Sequence, residues 1–178
     1  MAKARKKAKK KAKKQTRKKA VKPLVARPLP SSPRHRQYGV IPLRFGRDGR
    51  LQVLLLTSRG TGRWVIPKGW PMRKRTPAGT AEREAYEEAG LKGYLLSRRP
   101  VGSYRYLKTD DKFSGAILVR VFLLAVEQQK KDFPECHERL TRWFPIARAA
   151  ALVQERELAA LLKTVPSLLV QRPATKAR

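Results

Sequence analysis

The stretch that decides the reading is Gly69-Trp70-Pro71-Met72-Arg73-Lys74-Arg75-Thr76-Pro77-Ala78-Gly79-Thr80-Ala81-Glu82-Arg83-Glu84-Ala85-Tyr86-Glu87-Glu88-Ala89-Gly90-Leu91. Thr76 before Pro77 marks a helix start. A Thr side chain accepts from the free N–H groups of the first turn, and Pro has no N–H to leave unsatisfied there. Gly90 marks the stop, since Gly takes the left-handed conformation after the last turn. The spacing predicts a helix over Pro77–Ala89. At about 100° per residue, Ala78, Ala81, Ala85 and Ala89 form one stripe of small apolar groups. Glu84, Glu87 and Glu88 fall beside this stripe, whereas Glu82 and Tyr86 point to the far face. Small side chains let a helix lie close to a sheet, so the three carboxylates are expected at the rim of a cleft.

Carboxylates at i, i+3 and i+4 repel one another and call for a positive partner. Arg83 can hold one of them. A divalent cation satisfies all three at once, and oxygen ligands alone select a hard ion such as Mg²⁺ or Mn²⁺. Taken by itself, the same pattern also reads as a solvated acidic face paired with nearby Lys and Arg.

The wider spacing reaches beyond the helix. Gly69, then Arg83-Glu84-Ala85, Glu87-Glu88 and Gly90-Leu91 resemble the motif of the Nudix hydrolases: Gly, five residues, Glu, seven residues, Arg-Glu-apolar-any-Glu-Glu-any-Gly-apolar. One fixed position departs, because Arg75 stands where the first Glu belongs. The resemblance covers about residues 37–165. It implies an α/β (α+β) fold, an α/β/α sandwich with a mixed sheet and a loop-helix-loop catalytic motif. It further implies metal binding by Glu84, Glu87, Glu88 and the backbone carbonyl of Lys68, with Arg83 orienting Glu84. Glu84, Arg83 and Glu87 are the catalytic candidates it carries. Members of the family differ over which carboxylate takes the water proton, and several use a further acidic residue from a distant segment. Asp110, Asp111 and Glu127 are available for that role, though no motif selects among them. The run from Gly62 to Met72 looks most like a bacterial branch related to diphosphoinositol polyphosphate phosphohydrolases.

The rest of the chain fits one domain with a basic tail. Residues 1–36 hold sixteen Lys or Arg and no acidic residue. Residues 37–178 hold 27 basic and 13 acidic residues, so the folded part is itself basic at +14. Met1–Lys22 is almost wholly Lys, Ala and Arg and is expected to be disordered by self-repulsion. Such a tail attracts nucleic acid or polyphosphate, or serves only to keep the chain soluble. Pro23–Pro33 holds four prolines and reads as an extended linker.

Within residues 37–165, strands are expected at Tyr38–Phe45, Leu51–Thr57 and Trp64–Ile66, with Asp48-Gly49 as a hairpin turn. Pro67-Lys68-Gly69 is expected to turn the chain toward the helix. A hairpin is expected over 101–126, then a short strand at Arg142–Phe144. Apolar residues from Ile146 to Val165 have helical spacing and suit a closing helix. Residues 166–178 are expected to form a C-terminal tail.

Several classes of function are disfavoured. The chain has one Cys and two His, too few for a structural zinc site, and the adjacent Cys136 and His137 read as ordinary loop residues. The lone Cys suits the cytoplasm. No stretch is apolar enough to span a membrane, and no glycine-rich phosphate loop is present. Arg63, Lys68, Arg105 and Lys108 are candidate phosphate ligands. Tyr38, Tyr104, Tyr106, Trp64 and Trp70 either stack on a base or fill core and rim. The expected activity is Mg²⁺-dependent hydrolysis of a diphosphate linkage in a nucleoside diphosphate derivative or a polyphosphorylated compound, a diphosphoinositol phosphate or a dinucleoside polyphosphate. The alternative is a catalytically weak binding module whose basic tail grips nucleic acid.

Overall fold

The computed structural model describes residues 35–110 and 113–170. The basic tail, the proline-rich linker, Asp111, Lys112 and the last eight residues, Gln171–Arg178, lie outside the described residues.

Alternating burial explains the sheet. Strand β1 (His35–Phe45), β2 (Leu51–Thr57) and β7 (Phe113–Gln129) run through its middle. Their apolar runs are nearly continuous because both faces are covered. Val40, Leu54, Leu56, Phe122 and Leu124 face one layer, while Ile41, Leu43, Val53, Leu55, Val121 and Leu123 face the other. β1 pairs in parallel with β7 and antiparallel with β2, so the sheet is mixed. β3 (Trp64–Val65) and β8 (Thr141–Pro145) extend it beyond β2, and β5 (Leu91–Leu95) and β6 (Gly102–Asp110) pair with different parts of the long β7.

One layer over the sheet is α1 (Pro77–Ala89). Its Ala78, Ala81, Ala85 and Ala89 are all buried against the sheet, as the stripe predicted. The opposite layer is α2 (Ile146–Leu152) and α3 (Arg156–Val170), which bury Ala149, Ala150, Leu158, Leu162 and Val165. The result is the expected α/β/α arrangement with a mixed sheet.

Four local expectations change. Pro67-Lys68-Gly69 does not simply turn: Lys68–Gly69 forms a two-residue strand, β4, on β1, with Tyr38 opposite Gly69 and Gly39 opposite Lys68. Gly39 is needed there, because a Cβ would press on the Pro67 carbonyl and the Lys68 Cβ. β5 follows α1 directly. Its Gly93 obscures any strand signal, and pairing with β7 through a bulge at Lys92/Gly93 supplies the order instead. β1 begins at His35, three residues before the expected strand start at Tyr38. The closing helix is two helices that part at Val153, and the second runs through Pro166 to Val170 rather than ending at Val165.

The packing of α1 sets a stability prediction. The Ala81→Leu substitution is expected to destabilise the fold by about 1–3 kcal/mol through overpacking. Leu162→Ala on the opposite layer is expected to cost about 2–5 kcal/mol through a cavity. Urea unfolding of the full chain measures both; an unchanged midpoint for Ala81→Leu would refute close packing of this helix.

Candidate functional site

Helix α1 is fixed at both ends. Thr76 Oγ1 accepts from the Gly79 N–H at 3.0 Å, and Gly90 sits at φ 68° with its N–H on the Ala85 and Tyr86 carbonyls. Between these caps, the stripe that faces the sheet forces Glu84, Glu87 and Glu88 toward β4 and the segment that follows β7.

Glu88 is the most enclosed of the three, 4% exposed. Its Oε2 accepts from the Lys68 N–H at 2.9 Å, and its Oε1 accepts from Arg139 Nη2 at 2.6 Å. Arg139 is equally buried. It also donates to Glu135 Oε2 at 2.6 Å and to the Thr57 carbonyl at 3.2 Å. A buried ion pair of this kind persists only when its remaining donors are also satisfied. Burial pushes the Glu88 carboxyl up, and Lys68 and Arg139 oppose that shift.

Glu87 accepts from Arg83 Nε, an i,i+4 pair. The expectation that Arg83 orients Glu84 is therefore corrected: one helical turn places its guanidinium on Glu87. Glu84 makes no hydrogen bond or ion pair among the described residues. Its carboxylate packs on Gly69, and a Cβ at that position would overlap it. This gives the first Gly of the motif a steric reason. Burial, then the charges of Glu88, Glu87 and Glu135, push the Glu84 pKa up to about 7.

Glu135 is the acidic residue that sequence reading missed. It lies in the turn-rich segment after β7, where its N–H bonds the Glu87 carbonyl at 3.0 Å. Its one local signal was Arg139 four residues later. By contrast, Glu127 is exposed on β7 and makes no ion pair among the described residues, and the Asp110 and Asp111 side chains lie outside them.

The expected phosphate ligands divide. Arg63 and Lys68 come together beside Tyr106, with Arg63 Cζ 5.5 Å and Lys68 Nζ 5.7 Å from its ring centroid. Arg63 is already committed to Glu155, however, and Arg105 is held by Glu157 through its guanidinium and its N–H. A carboxylate within reach engages a guanidinium strongly. Lys108 Nζ lies 5.8 Å from the Trp70 ring centroid. Burial pushes the Lys68 amine down. Under this wall, Tyr104 Oη and Glu155 Oε2 are buried without hydrogen-bond partners among the described residues.

Among the described residues, no three His, Cys, Asp or Glu side chains stand in a converged metal-binding set. Glu87 and Glu88 are turned onto Arg83 and Arg139 instead. The charge balance nevertheless suits a cation. Glu84 makes no ion pair among the described residues, three further carboxylates outweigh the opposing charge of Lys68 around it, and every candidate donor is oxygen. The residues that fit a hard divalent ion are thus Glu84, Glu87 and Glu88.

Comparison with known proteins agrees with the fold. The sequence model of the family described as NUDIX domain matches residues 33–165. The chain is 28% identical over 155 residues to the Arabidopsis thaliana protein named Nudix hydrolase 13, mitochondrial, covering 78% of this chain and 76% of that protein. It is 34% identical over 115 residues to the mouse diphosphoinositol polyphosphate phosphohydrolase 3-alpha, covering 63% of this chain and 66% of the relative. A C. elegans Ap4A hydrolase binary complex shares the fold at TM-score 0.57 and 18% identity, over 78% of this chain and 99% of that one.

Glu84 sets a pH dependence. Its folded pKa is raised, so its favourable state is the protonated one, present at low pH and lost as pH rises through about 7. In metal-free protein, Glu84→Gln is expected to raise Tm over wild type at pH 8, with the gain vanishing toward pH 5. Thermal unfolding in EDTA across this range checks it; a gain independent of pH would refute a raised Glu84 pKa.

Proposed function

The chain belongs to the Nudix family, and from that premise we propose that it is a metal-dependent diphosphohydrolase acting on a polyphosphorylated small molecule. The observation that carries the reading is Glu84: a carboxylate without a partner, pushed up to about 7 among Glu87, Glu88 and Glu135. Such a group holds either a proton or a cation near neutral pH, and hydrolysis of a diphosphate needs both options.

The chain's own residues have distinct tasks. The Lys68 N–H and Arg139 hold the Glu88 carboxylate in one orientation. Arg83 does the same for Glu87. Glu84, packed on Gly69, takes the proton of the attacking water at its carboxylate oxygen. The water oxygen bonds to phosphorus and the bridging P–O bond breaks. A bound Mg²⁺ or Mn²⁺, held by Glu84, Glu87, Glu88 and the Lys68 carbonyl, would supply neutralisation of the diphosphate oxygens and a more acidic water. Of the four expected phosphate contacts, Lys68 and Lys108 remain proposed, Lys68 beside Tyr106, whereas Arg63 and Arg105 are taken up by Glu155 and Glu157.

The substrate class follows from charge and kinship. Residues 37–165 hold 24 basic and 13 acidic residues, and a domain at +11 suits a ligand with many phosphates. The relatives named for diphosphoinositol polyphosphate and Ap4A support a diphosphoinositol phosphate or a dinucleoside polyphosphate. Arg75, the departure from the motif, is exposed. A cytoplasmic setting belongs to this proposal. The Arabidopsis relative's name places that protein in mitochondria, and no described helix is long and apolar enough to cross a membrane.

Hydrolysis of a panel of diphosphoinositol phosphates, dinucleoside polyphosphates and nucleoside diphosphate derivatives, read by anion-exchange separation of substrate from products, tests the reading. Activity is expected with Mg²⁺ or Mn²⁺ and none in EDTA. Glu84→Gln is expected to lower kcat by about 10²–10⁴-fold. Full activity in that variant would remove Glu84 from the mechanism, and no turnover on any member of the panel would favour the weak binding module.

A further inference from the structure

The face of the sheet that carries α1 holds a second concavity, built from residues that the hydrolytic site does not use. It is a groove of about 450 Å³. Tyr38, Phe122 and Pro100 line its apolar part, and Arg36, Arg98 and Arg120 line it as cations. Strand alternation puts Arg36 and Tyr38 on the face of Val40. The parallel register then sets Arg120 beside Tyr38 and Phe122 beside Val40. Val40 and Phe122 lie in the core beneath α1. The helix begins at Pro77, and Thr76, Pro77 and Ala78 border the groove.

The charge is one-sided. Arg36, Arg98 and Arg120 are exposed and make no ion pair among the described residues. No carboxylate lines the groove. Arg73, Lys74 and Arg75, all exposed, lead directly into Thr76. Arg75 thus makes basic a loop in which the family motif has an acid. Uncompensated like charges of this density favour an anionic ligand with several phosphates.

Between the cations lies apolar surface. Tyr38 is only half-buried, with Pro77 and Pro100 beside the same groove. A bare phosphate chain leaves such surface uncovered, whereas a single strand of nucleic acid offers a base to the ring and phosphates to the guanidinium groups. We propose that this groove binds single-stranded nucleic acid, with phosphates on Arg36, Arg98 and Arg120 and a base against Tyr38.

The test uses the full chain in EDTA, with fluorescence anisotropy of a labelled single-stranded oligonucleotide at fixed salt. R36Q/R98Q/R120Q is compared with R47Q/R148Q/R156Q, a control that removes three exposed arginines elsewhere. The groove variant is expected to bind about tenfold more weakly than the control. Tyr38→Ala is expected to weaken oligonucleotide binding about tenfold and to leave an abasic strand of equal length unaffected. Equal losses in groove and control variants would overturn the site, since bulk charge alone would then explain binding. A Tyr38→Ala loss shared by the abasic strand, or equal competition by linear polyphosphate or anionic vesicles, would overturn the nucleic-acid assignment. Circular dichroism confirms folding, and R98Q/R120Q carries the comparison, with a smaller loss in the same direction, if the triple variant does not fold. Diphosphate turnover is expected to be unchanged in the groove variant, so failure of either reading shows separately.

Discussion

Glu88 is a carboxylate taken out of water, and much of the site depends on how that charge is met. Leaving a buried carboxylate without partners costs several kcal/mol. The Lys68 N–H answers it from β4 and Arg139 from the segment after β7. Two pieces of chain distant from α1 in sequence are thereby fixed to one of its side chains. Arg139 carries the arrangement outward, because it also holds Glu135 and the Thr57 carbonyl at the end of β2. The two-residue strand β4 makes sense in these terms. It places one N–H where Glu88 needs it, and Gly39 lets that strand lie against β1.

Glu84 sits on the other side of the same balance. The protein pairs Glu87 with Arg83 and Glu88 with Arg139, but no side chain forms an ion pair with Glu84 among the described residues, and its carboxylate lies on the bare backbone of Gly69. The unmatched charge is a cost to the empty fold, and a group poised near neutral pH is what proton transfer at a diphosphate calls for. Stability and function pull in opposite directions at this residue.

The basic surface is not uniform. Arg63 and Arg105 are neutralised by carboxylates of α3 and the residues leading into it, which turns two apparent phosphate ligands into struts between sheet and helix. The guanidinium groups of Arg36, Arg98 and Arg120 have no such partners. A count of Lys and Arg cannot separate the two kinds, because a cation's availability depends on which carboxylate the fold brings to it.

What the sequence determined by itself was local or strictly periodic. Thr76, Pro77 and Gly90 bounded α1 to the residue, the alanine stripe named its buried face, and Leu51–Thr57 announced a strand covered on both sides. Capping and periodicity are short-range, so they can be read without a fold. The carboxylate cluster was legible for the same reason, since one helix carries all of it. The partners were not. Arg139 lies 51 residues from Glu88 in sequence, and Glu135 reaches the site only because the chain folds back over α1. Arg83 had two carboxylates within a turn, and the actual side-chain packing selected Glu87. β5 formed because β7 offered an unpaired edge. In each case the deciding quantity was which distant groups meet after burial, and that is a property of the assembled sheet and helices.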